Sequence, residues 1–234
     1  MLRILLVVPL IAADTLVCGL ASLAAGLVDR SGRACRTIAR GWGRVLLLGL
    51  GVRVHVEGSG NVPRGPAVYA ANHGSAIDIP ILFGYLPADF RFIHKRSLYL
   101  VPVLGWSLWV AGHVGIDRAN PFRARKSLHA AAQRIQSGTS VAVFPEGTRS
   151  PDTEVRPFKR GSFVLALEAG VPVVPVSLQG VKRVAPRGLA TLRPGTVRLL
   201  IHPPVPTAGR SLEAAESLAE EVRRVVAGGC AEVA

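Results

Sequence analysis

The chain has 234 residues, 49% of them hydrophobic, which suffices for one sizeable buried core and excludes a disordered or collagen-like protein. Its 28 Lys and Arg against 15 Asp and Glu leave a net charge of +13, favouring a partner rich in negative charge: nucleic acid, an anionic membrane surface or a phosphorylated compound. Cys18, Cys35 and Cys230 are far apart and show no C-x-x-C spacing, so neither a zinc site nor a disulfide framework is indicated and a reducing compartment is the default.

The first predicted element is the apolar segment from Ile4 to Val28, broken only by Asp14 and Thr15. As a helix at about 1.5 Å per residue it covers the roughly 30 Å hydrocarbon core of a bilayer, so a membrane segment is expected. Arg3 ahead of it also suits a signal peptide, but the run is long and no clean A-x-A site stands before Asp29. Pro9 and Asp14 fit a simple lipid-facing span poorly, because an ionised group in hydrocarbon needs a partner or a wet cavity. A tilted or re-entrant insertion stays open beside a full crossing.

Next comes "DRSGRACRTIARGWGRVLLLGLG", in which Arg33, Arg36, Arg40 and Arg44 recur every three or four residues with Ile38, Trp42, Val45 and Leu46 between them. This spacing predicts a basic amphipathic helix, and its place beside the apolar segment favours a membrane surface over an ordinary solvated face. These arginines, with Arg30 and Arg53, outnumber Arg3 on the other side, so the positive-inside bias puts the remainder of the chain in the cytoplasm at the inner cell membrane. Residues 1–50 are expected to form a membrane-associated helix pair and residues 51–234 one further domain.

Beyond residue 51 short strands and helices alternate. "VRVHVE" (52–57) alternates as a half-buried strand; "AVYAA", "RFIHK", "GHVGID", "SVAVF", "VPVVPVSL" and "TVRLLIH" are further strands. Helices are expected over 76–86, 120–136, 161–169 and 211–227, the last with its acids early and arginines late, as the helix dipole prefers. This alternation predicts an α/β domain with a mostly parallel sheet, and the Pro/Gly/Arg segment 182–195 a surface loop.

Two clusters carry chemistry. In "NHGSAID", His73 and Asp78 are five residues apart, about 140° around an ideal helix, so a turn must fall between them. Ser75 offers an N-cap and Ser75-x-x-Asp78 a capping box, with His73 on the preceding loop, where Asp78 can reach its ring. A carboxylate on one ring nitrogen fixes the tautomer and leaves the other nitrogen as a general base; the spacing alone fits a plain capped helix beside a surface histidine equally well. The second cluster, "FPEGTRSPDTEVRPFKRG", follows an apolar strand and presents Glu146, Gly147, Thr148, Arg149, Lys159 and Arg160 at a strand end, where α/β folds place ligands. Arg118 in "GIDRANP" ends another strand. Glycine lets backbone approach a ligand, and arginine or lysine suits a phosphate. No G-x-S-x-G, G-x-x-x-x-G-K-[ST] or G-x-G-x-x-G is present, which removes the usual serine-hydrolase and nucleotide signatures.

"NHGSAID" resembles the His-x4-Asp motif of the glycerolipid acyltransferase family, and "FPEGTRS" resembles its third motif, in the same order and at a similar separation. "KRSLYLVPVLGW" is similar to the family's lysine-led segment, "GHVGIDR" to its second motif, "PFKRGSF" to the segment after the third and "VPVVPVSLQG" to its fourth, together covering roughly residues 52–180. The pattern is most like the bacterial lysophosphatidate acyltransferases, which implies an N-terminal membrane-associated helix pair followed by a single α/β acyltransferase domain. The resemblance further implies acyl transfer from acyl-CoA or acyl-carrier protein to the sn-2 hydroxyl of lysophosphatidate, with His73 as base and Asp78 as its orienter. Lys95, Arg118 and Arg149 would hold the acceptor's phosphate, Glu146, Gly147 and Thr148 would shape the site, and Pro172 and Pro175 would support the acyl side. No metal or other cofactor is implied, because the thioester is already activated; the lipid bilayer is the expected partner and nucleic acid is not. His113 and Gly115 replace bulky apolar residues of the second motif and Ser97 a glutamate, which leaves another lyso-lipid acceptor, such as a lyso-ornithine lipid, as the alternative. A non-enzymatic basic protein binding membrane or nucleic acid would explain the charge but not His73, Asp78 and Glu146 in this order.

Overall fold

The computed structural model describes residues 2–29, 31–117, 121–150, 154–186 and 191–231. In chain order these form α1 (Leu2–Val28), α2 (Arg33–Gly49), β1 (Val52–Glu57), β2 (Val68–Ala71), α3 (Asp78–Tyr85), β3 (Phe90–Lys95), α4 (Leu104–Val110), β4 (Val114–Ile116), α5 (Pro121–Gln136), β5 (Ser140–Val143), α6 (Gly161–Ala169), β6 (Val173–Gln179), α7 (Val181–Val184), β7 (Gly195–Ile201) and α8 (Ala215–Cys230). The seven strands make one sheet in the order β1-β7-β6-β2-β5-β3-β4. All neighbours are parallel except β6 and β7, so the expected mostly parallel sheet is present. The exception has a local cause: the segment expected as a loop between β6 and β7 holds the one-turn α7 rather than a full crossover helix, and β7 returns antiparallel.

Both faces of the sheet are covered, which is why the central strands read as short unbroken apolar runs. Tyr69 and Ala71 of β2 point into one core with Ile77, Ile81 and Leu82 around α3, while Val68 and Ala70 point into the other with Ile135 of α5, Phe163 of α6 and Leu218 and Val222 of α8. Edge strand β1 alternates as its sequence does, with Val52 buried and Arg53, His55 and Glu57 exposed. Leu46, Leu47 and Leu50 at the end of α2 belong to the same core as β2 and α3. The boundary near residue 50 therefore separates kinds of element without separating cores.

Helix α1 packs against α2 and α4 and leaves Leu10, Val17, Leu27 and Val28 exposed. Its stretch Val8–Val28, of mean hydropathy 1.9, is long and apolar enough to cross a membrane. A turn of 3-10 helix (Arg96–Leu100) and α4 were not anticipated; they add Leu100, Trp106 and Trp109 to this apolar exterior, Leu100 being 83% and Trp109 71% exposed. Exposed apolar side chains on helices that pack against one another indicate membrane association.

Strands β2, β3, β5 and β6 are parallel to one another, so their C-terminal ends lie along one edge of the sheet. The loops carrying His73, Lys95, Glu146 to Arg149, and Gly180 all start there, although they lie far apart in the chain.

Candidate active site

The loop after β2 is held by its own polar groups. The Asn72 side chain bonds the backbone of Leu178 twice, donating from Nδ2 to the carbonyl (3.1 Å) and accepting the N–H at Oδ1 (2.8 Å), which fastens the loop to β6. His73 then donates its backbone N–H to Glu146 Oε1 (2.7 Å) and accepts the Ser150 N–H at its carbonyl (2.8 Å). The loops after β2 and β5 are thereby tied together at the residue expected to be the base.

Asp78 is fully buried, and its Oδ2 meets three donors at 2.8 Å: His73 Nδ1 and the backbone N–H groups of Gly74 and Ser75. With Nδ1 donating to a carboxylate, the ring's acceptor is Nε2. The expected helix cap needs correction. Helix α3 starts at Asp78 with Ile77 in the N-cap position, and the buried Ser75 Oγ has no hydrogen-bond partner among the described residues. The half of the capping box that forms is the returning carboxylate, whose charge-assisted bonds to two N–H groups outweigh a neutral hydroxyl cap.

The His73 ring stacks on Phe144 at 4.1 Å between centroids and 15° between planes, and Phe144 stacks in turn on Phe92 at 5.7 Å. Phe144 was not singled out from the sequence; its place immediately after an apolar strand and before Pro-Glu-Gly was the available signal. Glu146 is buried, and its second oxygen accepts the Arg156 N–H at 3.2 Å. Burial raises the Glu146 pKa above the usual carboxylate value, while the bonds from His73 and Arg156 hold it down in part. Gly147 has φ +76°, and a Cβ there would lie 2.9 Å from Lys159 Nζ, so only glycine fits this turn without strain.

An apolar cavity of about 570 Å³ opens at His73 and Phe144. Its walls come from Thr15, Cys18 and Ser22 of α1, Cys35, Ala39 and Trp42 of α2, Leu104 and Leu108 of α4, and Phe83 and Phe92 beneath. Lys95, Gly147, Thr148 and Arg149 border the same cavity, with Lys95, Thr148 and Arg149 exposed. The structure thus brings His73, Asp78, Lys95, Glu146, Gly147, Thr148 and Arg149 together. Arg118 lies outside the described residues. Pro172 and Pro175 are elsewhere: the Pro172 carbonyl accepts the Val68 N–H (3.0 Å), and Pro175 pairs with Ala70 inside β6, its carbonyl accepting the His202 N–H (3.0 Å). They sustain the sheet, and neither borders the apolar cavity. Among the described residues no group of three or more His, Cys, Asp or Glu is placed to hold a metal ion.

His113 and Gly115 form one packing unit. His113 Nδ1 accepts the Phe92 N–H (2.8 Å), its ring meets Phe83 edge-on, and burial, with the charges of Arg91 and His94, lowers its pKa to about 3. The Tyr99 hydroxyl donates to the His113 carbonyl (2.5 Å) and accepts the Gly115 N–H (3.1 Å), and a Cβ on residue 115 would strike the Tyr99 ring at 2.5 Å.

The family model described as Acyltransferase matches residues 53–179, more than half of the chain, a stretch that holds His73, Asp78, Lys95 and Glu146 to Arg149 but not the α1 and α2 walls of the cavity. The chain belongs to this acyltransferase family. It is 39% identical over 189 residues to the 1-acyl-sn-glycerol-3-phosphate acyltransferase of Chlamydomonas reinhardtii, covering 78% of this chain and 57% of that protein. It is 34% identical over 175 residues to 1-acyl-sn-glycerol-3-phosphate acyltransferase alpha of Homo sapiens, covering 74% and 62% respectively. This acyltransferase chain spans about half the length of the curated relatives it matches. The crystal structure of the 1-acyl-sn-glycerophosphate (LPA) acyltransferase PlsC from Thermotoga maritima is similar throughout, with a TM-score of 0.83 at 34% identity, covering 98% of this chain and 94% of that one.

Proposed function

We propose that the protein transfers a fatty acyl group from acyl-CoA or acyl-carrier protein to the sn-2 hydroxyl of lysophosphatidate, giving phosphatidate. The observation that carries this reading is the His73 ring, bonded at Nδ1 to a buried carboxylate and standing at the mouth of an apolar cavity bordered by Lys95 and Arg149. Nε2 takes the hydroxyl proton, the oxygen attacks the thioester carbonyl, the carbon–sulfur bond breaks, and the proton passes to the departing thiolate. Asp78 stabilises the charged imidazole between these events. Lys95 and Arg149 attract the acceptor's phosphate, and the cavity receives an acyl chain. The thioester is reactive enough to need no metal or other cofactor. The names of the relatives support the acceptor. Of the three residues that had kept another lyso-lipid open, His113 and Gly115 are engaged in packing and lend that alternative no support, while Ser97 is exposed.

The reading includes a site on the inner cell membrane facing the cytoplasm. Helices α1, α2 and α4 are at once the walls of the cavity and the carriers of the apolar exterior, and Arg33, Arg36, Arg40 and Arg44 on α2 suit anionic headgroups. A lipid-borne chain then reaches His73 without crossing water. The test is transfer of a labelled acyl chain to lysophosphatidate by the purified full chain in detergent. His73→Ala should lower turnover by roughly 10²–10⁴-fold, the usual worth of a general base, and transfer that survives the substitution sinks the mechanism.

A further inference from the structure

His73 borders two cavities and is the one residue they share. The second is a polar cleft of about 580 Å³, formed by the loop after β2, the loop after β5 and the C-terminal end of β6 with α7, and closed by α8. Accepting the acyl transfer proposed above, we infer that this cleft receives the phosphopantetheine arm common to coenzyme A and acyl-carrier protein.

A thioester has two substituents on its reacting carbonyl, the acyl chain and the sulfur with everything attached to it. With the chain in the apolar cavity and the carbonyl at His73, the sulfur's substituent needs a second channel leading from the same ring, and the polar cleft is such a channel. Its chemistry fits the arm, which carries two amides and ends in a phosphate. Asn72, Ser150 and Gln179 line it with amide and hydroxyl groups whose first bonds go to the Leu178 backbone, the Glu154 carbonyl and the Ala231 carbonyl, Glu146 and Glu154 contribute carboxylates, and Lys182 and Arg183 contribute positive charge at its end on α7. Lys182 Nζ donates to the Ser150 carbonyl (2.5 Å), which fixes its ammonium between α7 and the loop after β5. Arg183 is exposed and Lys182 half-buried, so a phosphate held by them sits where the cleft meets solvent. From there either the nucleotide of coenzyme A or a carrier protein can extend outward. Arg223 also lines the cleft, its guanidinium paired with Glu220 through two bonds of 2.7 Å and reaching the Val155 carbonyl. Lys95, Thr148 and Arg149 border the apolar cavity and not the cleft, so the two substrates have separate cations. The fourth-motif segment therefore serves the donor through its end at Leu178 to Arg183, and not through Pro172 and Pro175.

The test compares the full-length wild type with Arg183→Gln and Lys182→Gln, in detergent, using three donors of one chain length: acyl-CoA, acyl-carrier protein and acyl-pantetheine without phosphate. Loss of a charge-assisted phosphate contact should raise KM about tenfold for the first two donors in each variant. Acyl-pantetheine kinetics and the KM for lysophosphatidate should stay unchanged, which also shows that the variants are folded. Equal loss with the phosphate-free donor, a rise confined to acyl-CoA, or a shift in the lysophosphatidate KM instead each overturns the assignment. Titration of coenzyme A into both proteins separates this inference from the function it rests on. Binding weakened by Arg183→Gln in an enzyme that does not acylate lysophosphatidate overturns the acceptor and upholds the cleft, and binding unaffected by either substitution overturns the cleft.

Discussion

The loops after β2 and β5 and the helical roof of α1, α2 and α4 face the same cavity with different materials. In the loops, polar bonds converge on residues 73, 78 and 146: backbone N–H groups of His73, Gly74, Ser75 and Arg156 all end on the carboxylates of Asp78 and Glu146. In the roof, the cavity meets small and apolar side chains such as Cys18, Ser22, Cys35, Ala39 and Leu108. Its polar ties are few, among them Trp42 Nε1 donating to Thr15 Oγ1 (3.2 Å) and Cys35 Sγ to the Ser22 carbonyl (3.4 Å). Directional bonds hold one geometry, as proton transfer needs, whereas packing against small side chains admits a flexible chain.

The contrast breaks most sharply at Asp78. Asp78→Asn keeps the shape and one acceptor for the Gly74 and Ser75 N–H groups but removes the charge that orients His73. Turnover should fall by roughly 10²–10⁴-fold, and thermal unfolding should reveal only about 1–3 kcal/mol of lost stability. An Asn variant turning over within a factor of about two of wild type takes Asp78 out of the mechanism.

Glu146→Ala attacks the same network through the fold. It removes the acceptor of the N–H groups of His73, which is half-buried, and Arg156, which is exposed, so a loss of about 1–3 kcal/mol is expected from thermal unfolding, together with reduced turnover as residue 73 loses its anchor. Glu146→Gln, which keeps an acceptor, should recover part of both; if Ala and Gln behave alike, the two bonds contribute little.

The smallest effect concerns the seam where β3 and β4 meet the roof. His113 has a folded pKa of about 3, set first by burial, against an ordinary value of 6.5. It is neutral in both states above pH 6.5, but below that the unfolded chain binds the proton more readily, so stability falls as pH falls from 6.5 towards 3. By pH 5.5 this amounts to about 1.4 kcal/mol. His113→Asn, whose Oδ1 can still accept the Phe92 N–H, should remove that part of the pH slope, as followed by thermal unfolding from pH 7.5 to 5.5. Parallel slopes in the two proteins would refute the assignment.

Much of the fold is local and therefore legible. The strand 52–57 and the helix 161–169 fall where the sequence places them, because an alternating edge strand and a short helix closed by Gly170 carry their own signals. Helix α4 escaped notice because "LGWSLWV" has no polar face to give a period: it is apolar towards α1 and, through Trp106 and Trp109, towards the outside. Ser75 and Asp78 were both visible as capping groups, but which of them forms the turn depends on the buried surroundings of Asp78. Pro172 and Pro175 were recognised by motif order, and order along a chain does not say which side of a sheet a residue serves.

The sequence by itself determined that a turn brings Asp78 within reach of His73, and it determined the basic and glycine-bearing loop after β5, the apolar N-terminal segment and the alternating α/β class, since each rests on spacing within one short segment. Only the tertiary structure decided that Phe144 stacks on His73, that Glu146 holds the backbone of residue 73, and that His73 borders both an apolar cavity and a polar cleft. Those relations depend on the strand order β6-β2-β5-β3, which sets loops from distant parts of the chain side by side. Parallel pairing is made through long crossovers, so no local pattern encodes it.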